Sequence, residues 1–148
     1  MTGSVRFDGV NLVARDPDAT IEFYRRLGLP IDENLVWRTD TGPHHVGSIP
    51  TGSDADLDID SAALAERYNA GYASGPERND TILGFRLESR DAVDALHAEL
   101  VAAGYASRQE PYDAFWGARY AIVADPDGRA VGLMSPRDPE RNAPPPEL

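Results

Sequence analysis

The chain has 148 residues, a formal charge of −11 and no cysteine. That length supports one domain, or two small modules sharing a core, with enough burial to fold without a staple. The missing thiols exclude a disulfide framework, a thiol nucleophile and a thiolate metal site, and the acidic field, unrelieved by any Lys/Arg cluster, speaks against nucleic acid and anionic membranes as partners.

Met1 to Arg6 has neither a basic n-region nor an apolar h-region, and no apolar run approaches the roughly 18 residues that cross a bilayer. The expected location is therefore cytoplasmic. Val5 to Arg15 alternates as a strand, with Val10, Leu12 and Ala14 on one face and Asn11 and Val13 on the other. Asp16-Pro17 then supplies an N-cap and a first-turn proline for a helix whose stripe is Thr20, Phe23, Tyr24 and Leu27, closed by Gly28. Strands are expected at 34–39, 44–49 and 55–59, separated by Thr41-Gly42-Pro43 and Thr51-Gly52-Ser53. Asp60-Ser61 caps a short helix, 62–69.

Gly75 to Asp80 reads as an exposed linker. Thr81 to Leu87 is again a strand, followed by a helix with the stripe Val93, Leu96, Leu100 and Val101 and a closing Gly104. Strands follow at 106–110, 119–124 and 130–135, the last two joined by the turn Asp125-Pro126-Asp127-Gly128. Gly28 and Gly104 lie 76 residues apart, and Asp16 and Asp91 lie 75 apart, the mark of an internal repeat. The expected organisation is a first βαβββ module over 4–60, a connecting helix and linker over 61–79, a second βαβββ module over 80–136 and a Pro-rich tail over 137–148, together one α+β domain. The tail has too little apolar content to pack and is expected to be loose.

Three segments carry a family resemblance: Val10-Asn11-Leu12-Val13-Ala14-Arg15-Asp16, Phe23-Tyr24-Arg25-Arg26-Leu27-Gly28-Leu29 and Asp125-Pro126-Asp127-Gly128-Arg129-Ala130-Val131. In that order, with the repeat, the chain resembles the vicinal oxygen chelate superfamily of glyoxalases, fosfomycin-resistance enzymes, extradiol dioxygenases and bleomycin-binding proteins. The resemblance implies two modules curling one sheet into a half-open, barrel-like cup, and a homodimer. It also implies inward metal ligands, and those positions fall here on Gly9, Ile82 and Gly132, with a fourth near Asp58. Glycine and isoleucine offer no donor atom, and one aspartate does not hold a hard divalent ion. The expectation is therefore a metal-free, cofactor-free cup that binds a small aromatic or cationic molecule, an antibiotic being one such ligand, and does not transform it. The alternative is a lyase- or dioxygenase-like enzyme of the same superfamily with displaced ligands (His45, Asp58 and Glu110) or with metal-free acid–base chemistry. A third reading is a regulatory module whose tail contacts a partner protein.

His44 and His45 are adjacent, so on a strand they point to opposite faces and only one can enter the cup. His97 reads as a helix-surface histidine, and no Ser/His/Asp arrangement stands out. Asp54, Asp56, Asp58 and Asp60 share one strand face, with Ala55, Leu57 and Ile59 on the other. If the aliphatic face meets the covering helix, the acids look into the cup; otherwise they form a solvated edge, and the solvated edge is the first expectation. Tyr112, Phe115, Trp116 and Tyr120 crowd one loop and strand entrance, and Trp37 lies on the second strand of the first module. Flat rings around a concave site bind planar or cationic ligands, at roughly 0.5–2 kcal/mol each. The candidate ligand-binding set is thus Trp37, His45, Asp58, Tyr112, Phe115, Trp116, Tyr120 and Met134, with no catalytic residue assigned. Arg119 is expected to clamp Asp113 or Asp125.

Overall fold

The computed structural model describes residues 4–72, 80–124 and 128–148. The first strand, β1 (Arg6–Ala14), leads into α1 (Pro17–Leu27), whose start and stop follow local chemistry. The Asp16 carboxylate accepts the Ala19 N–H, and Gly28 takes a left-handed φ of 113° so that its N–H reaches the last-turn carbonyls. A 3-10 turn (Glu33–Leu35) precedes β2 (Val36–Thr39), where a strand from residue 34 was expected. The Asp32 carboxylate accepts the Asn34 N–H and winds those residues into the turn. Next come β3 (Gly42–Val46), β4 (Asp56–Ser61) and α2 (Ala62–Tyr68), the last capped by the Ser61 hydroxyl.

The second half repeats the plan with β5 (Thr81–Arg86), α3 (Arg90–Ala102), β6 (Ser107–Asp113), β7 (Arg119–Ala124) and β8 (Ala130–Met134). β6 runs to Asp113, three residues past the expected end, and so takes up Pro111 and Tyr112. It is an edge strand, where a proline's missing N–H interrupts no central ladder. The Asp125-Pro126-Asp127 part of the expected turn, the linker from 75 to 79 and the side chains of Phe23 and Leu27 lie outside the described residues.

All eight strands form one open sheet in the order β2-β3-β4-β1-β5-β8-β7-β6. β1 and β5 pair antiparallel at its centre, and each has a parallel neighbour from its own half, β4 and β8. Read outward from the centre, the two halves are therefore the same four-strand arrangement, which the repeat in the sequence anticipates.

Three apolar clusters hold this sheet. α1 covers the outside of the first half through Ile21 and Tyr24, against Ile31, Val46, Ile49 and Ile59. Ile21, absent from the expected stripe, is 1% exposed. α3 covers the outside of the second half through Ala92, Val93, Leu96 and Leu100, against Leu87, Ala121 and Leu133. Val101, expected in the stripe, is exposed, and His97, expected at the surface, is buried with Nε2 2.8 Å from the Ser107 hydroxyl. The third cluster fills the curl of the sheet: Leu64, Ala65 and Tyr68 of α2 meet Ile82, Tyr120, Ile122 and Ala130. Each such aliphatic side chain contributes about 1.5–3 kcal/mol by burial.

The tail is the main departure from expectation. After β8 it forms a 3-10 turn (Pro139–Arg141), and Trp116 and Asn142 make a β-bridge. The Asp138 N–H bonds the Gly117 carbonyl, the Ala143 N–H bonds the Phe115 carbonyl, and the Thr41 hydroxyl and Arg67 reach the carbonyls of Leu148 and Glu147. Backbone hydrogen bonds hold it to the second half, side-chain donors Thr41 and Arg67 tie it to the first, and Leu148 packs against the inner cluster. Among the described residues, no helix is long and apolar enough to cross a membrane.

Candidate functional site

The site begins with the alternation on β4. Leu57 and Ile59 turn outward to the α1 cluster, so Asp56, Asp58 and Asp60 turn inward and line a cavity of about 320 Å³. The solvated-edge expectation is overturned for these three; Asp54, which precedes the strand, is exposed. What decides it is α1, whose apolar face takes the aliphatic side of the strand.

Asp60 is 1% exposed, and three donors compensate its burial. Its Oδ2 accepts from Asn11 Nδ2 (3.0 Å) and from the Tyr68 hydroxyl (2.8 Å), while Oδ1 lies 2.6 Å from His45 Nδ1. The β3–β4 ladder sets this meeting, since His45 and Asp60 are register partners. His45 is thereby the histidine that enters the cavity. His44 points away, 4% exposed, its ring nitrogens held by Ser61, Thr39 and Thr41.

Burial pulls the His45 pKa down, but the hydrogen bond and charge of Asp60 and the charge of Asp58 outweigh it, so the net shift is upward. Burial drives the Asp58 carboxyl the other way from its usual range, up to about 6, against the pull of His45 and with Asp60 and Asp56 adding to the rise. The Ser48 N–H supports Asp58 at 3.2 Å from a residue held at φ 56°, a left-handed conformation uncommon outside glycine. Burial also pushes the Tyr68 and Tyr120 phenols well above their ordinary range, which keeps them neutral donors.

Rings supply the rest of the lining. Trp37 on β2 meets Phe115 at 6.4 Å between centroids, Phe115 meets Trp116 at 5.2 Å, and Trp116 meets Tyr120 at 5.3 Å. β2 lies at one edge of the sheet, and Phe115 follows the strand at the other edge. The Trp37–Phe115 contact therefore bridges the open seam of the cup. Trp116 donates its indole N–H to Met134 Sδ at 3.3 Å, and Met134, Arg137 and Pro145 complete the rim.

Of the eight expected site residues, seven line the cavity and Tyr112 does not: its ring stands behind, against Trp116 and Tyr120. Arg119 does clamp Asp113 (3.2 Å) and also Asp94 (2.8 Å). Among the residues missed by sequence reasoning are Asp60 as the histidine's partner, Asn11, Tyr68 and the tail residues Arg137 and Pro145. Only the first left a signal: a hairpin of 42–46 with 56–61 puts His45 opposite Asp60.

Three of the four positions that the resemblance assigns to metal ligands offer no donor atom, and Asp58 alone does not hold a metal. Gly9, Gly84 and Gly132 are register partners across β1, β5 and β8 and form a flat backbone floor. A Cβ at Gly9 would collide with the Asp56 backbone carbonyl, and one at Gly132 would lie 2.8 Å from the Tyr120 hydroxyl. Ile82 is buried in the inner cluster. The displaced set of His45, Asp58 and Glu110 is not assembled either. Glu110 belongs to edge strand β6, with its carboxylate 3.9 Å from His97 on α3. Among the described residues no group of three or more His, Asp or Glu side chains is placed to hold a metal.

A family model described as the Glyoxalase/Bleomycin resistance protein/Dioxygenase superfamily matches residues 6–133. Solved structures agree in fold. The 2,3-dioxygenase LapB from Pseudomonas sp. KL28 superposes with a TM-score of 0.60 at 13% identity, over 90% of this chain and 43% of that one. A superfamily member from Vibrio splendidus 12B01 gives 0.57 at 12% identity, over 90% and 100%. A Legionella pneumophila protein described as an NAD-dependent benzaldehyde dehydrogenase gives 0.57 at 17% identity, over 85% and 96%. A comparison with curated proteins returns no significant match. Identities this low carry the fold and leave the chemistry to the residues of the site.

Proposed function

The chain belongs to the glyoxalase/bleomycin resistance protein/dioxygenase superfamily, and from that premise we propose that its cup captures a small planar organic cation without the aid of a metal. The observation that carries this reading is one cavity lined both by the carboxylates of Asp56 and Asp58 and by the rings of Trp37, Phe115 and Trp116. A flat cation stacks on the rings and sets its charge against the carboxylates, two attractions that a low-dielectric site strengthens. The volume suits a bicyclic ring system or something slightly larger. An aromatic or cationic antibiotic of that size belongs to the class. The glycine floor supports the metal-independent part of the reading, because it leaves those positions without donor atoms.

The test is calorimetry and thermal denaturation with N-methylquinolinium against its neutral isostere, methylnaphthalene. The cation raises the melting temperature in proportion to its affinity and the isostere does so far less. Trp116→Ala and Asp58→Asn each weaken cation binding about tenfold. Binding also strengthens as pH rises through about 6, where Asp58 acquires its charge. Equal affinity for the neutral isostere, or no dependence on Asp58, removes the cation from the proposal.

A further inference from the structure

The cavity is not uniformly acidic once each charge is matched with its partner. Asp60 is satisfied by His45, Asn11 and Tyr68, and Asp8 forms a partly buried ion pair with Arg86 at 2.9 Å. Asp56 and Asp58 line the same cavity, and among the described residues neither has a cationic side chain within 4.0 Å. One cation of the lining is equally unmatched. Arg137 stands exposed at the rim, and among the described residues no carboxylate lies within that distance of its guanidinium. Its charge nonetheless reaches inward, opposing protonation of His45.

The chain on either side of Arg137 fixes where that charge sits. Before it, Ser135 is fully buried, its N–H bonded to the Arg119 carbonyl and its hydroxyl to the Pro136 carbonyl. After it, the Asp138 N–H bonds the Gly117 carbonyl, and the Asp138 carboxylate caps the 3-10 turn. Gly117 makes room for this seat: it holds a left-handed φ of 84°, and a Cβ there would collide with the Asp138 carbonyl. An anchored backbone lowers the ordering cost of any contact the side chain makes. The result is a dipolar site, with unpaired negative charge inside and a fixed positive charge at the mouth. A ligand that carried only a positive charge would meet repulsion from Arg137, which electrostatic complementarity avoids.

We propose that Arg137 is a specificity-determining residue that binds an anionic group of the ligand, so that the cup selects planar zwitterions, aromatic cations that carry a carboxylate. The inference rests on the cation reading of the cavity and adds the second charge to it. The ring lies on Trp37, Phe115 and Trp116 with its positive charge toward Asp56 and Asp58. The carboxylate points to the mouth, where the planar guanidinium donates paired N–H bonds to it.

The test is calorimetry with N-methylquinolinium, its 3-carboxylate, its 6-carboxylate and 2-naphthoate, which keeps the ring and the anion and lacks the cation. In the wild-type protein at least one of the zwitterions binds about fivefold more tightly than N-methylquinolinium, and R137Q removes that gain. Salt at about 0.5 M shrinks the gain, as expected of a charge pair at a rim. R137Q binds N-methylquinolinium itself somewhat more tightly, because a repelling charge has gone. R26Q, at an exposed arginine of α1 paired with Glu22, leaves the gain in place. Arg137 makes no ion pair among the described residues, so R137Q keeps the wild-type melting temperature.

Zwitterions that bind no more tightly than N-methylquinolinium, or a gain that R137Q retains, overturn the proposal and leave the cation reading standing. Arg137-dependent binding of 2-naphthoate by protein that ignores N-methylquinolinium removes the cation reading and leaves Arg137 as the partner of the anion. Protein that binds none of the four compounds removes both.

Discussion

On the inner face of the first half, β4 carries Asp56, Asp58 and Asp60; its counterpart in the second half, β8, carries Ala130, Gly132 and Met134. The rings reverse the asymmetry. Trp37 and Tyr68 are the first half's contribution, whereas Phe85, Phe115, Trp116 and Tyr120 come from the second. One backbone plan is used twice, with charge placed in one copy and aromatic surface in the other, and the cavity needs both. Duplication therefore fixes where inward positions lie, and each copy is then free to fill them differently.

The equivalent glycines of the two central strands offer the sharpest way to break this comparison. A Cβ at Gly9 meets the Asp56 backbone carbonyl, which cannot yield, while one at Gly84 meets the Gly9 carbonyl at 3.2 Å, a contact relieved by a small shift. Gly9→Ala is expected to cost about 3 kcal/mol or more, and Gly84→Ala no more than about 1 kcal/mol, part of it offset by the lost chain entropy of glycine. Urea denaturation of the two variants measures the difference. Equal costs would mean that the halves are packed alike at the centre.

A second test isolates the charged half. Between pH 3.8 and about 6 the folded chain holds on Asp58 a proton that the unfolded chain has released. Stability from this group therefore falls as pH rises across that window and is level above it. Asp58→Asn removes the fall, so the wild-type-minus-variant difference from denaturation at several pH values should decline across the window and then flatten. His45, raised above its ordinary 6.5, acts in the same sense at higher pH, since its contribution is present below that value and is lost as pH rises through the folded pKa.

The smallest expected effect concerns the tie between the halves. Truncation after Asn142 removes the Ala143–Phe115 hydrogen bond, the exposed Arg67–Glu147 and Thr41–Leu148 hydrogen bonds and the packing of Leu148, and should cost about 1–2 kcal/mol. Its larger consequence is access, because Pro145 leaves the rim. Ligand association and dissociation both quicken in stopped-flow measurements if the tail covers the cavity, and stay the same if it does not.

Much of the scaffold was legible in the chain before any folding. Asp16-Pro17 and Gly28 bound α1, and the 75-residue offset between Asp16 and Asp91 announces the doubled plan, because caps and turns are local chemistry. The alternation of residues 54–60 likewise established that the acids share a face. Which face looks inward was beyond it: a period of two says nothing about what covers each side, and that was settled by α1. The tail was misjudged for a related reason, since most of its hold comes from hydrogen bonds to Phe115, Gly117, Thr41 and Arg67, which hydropathy does not register. The pairing of His45 with Asp60 belongs to the same category. The sequence determined the elements, their order and the side chains each could offer; strand register and helix packing, which join residues far apart in the chain, decided which of those side chains meet around the cavity.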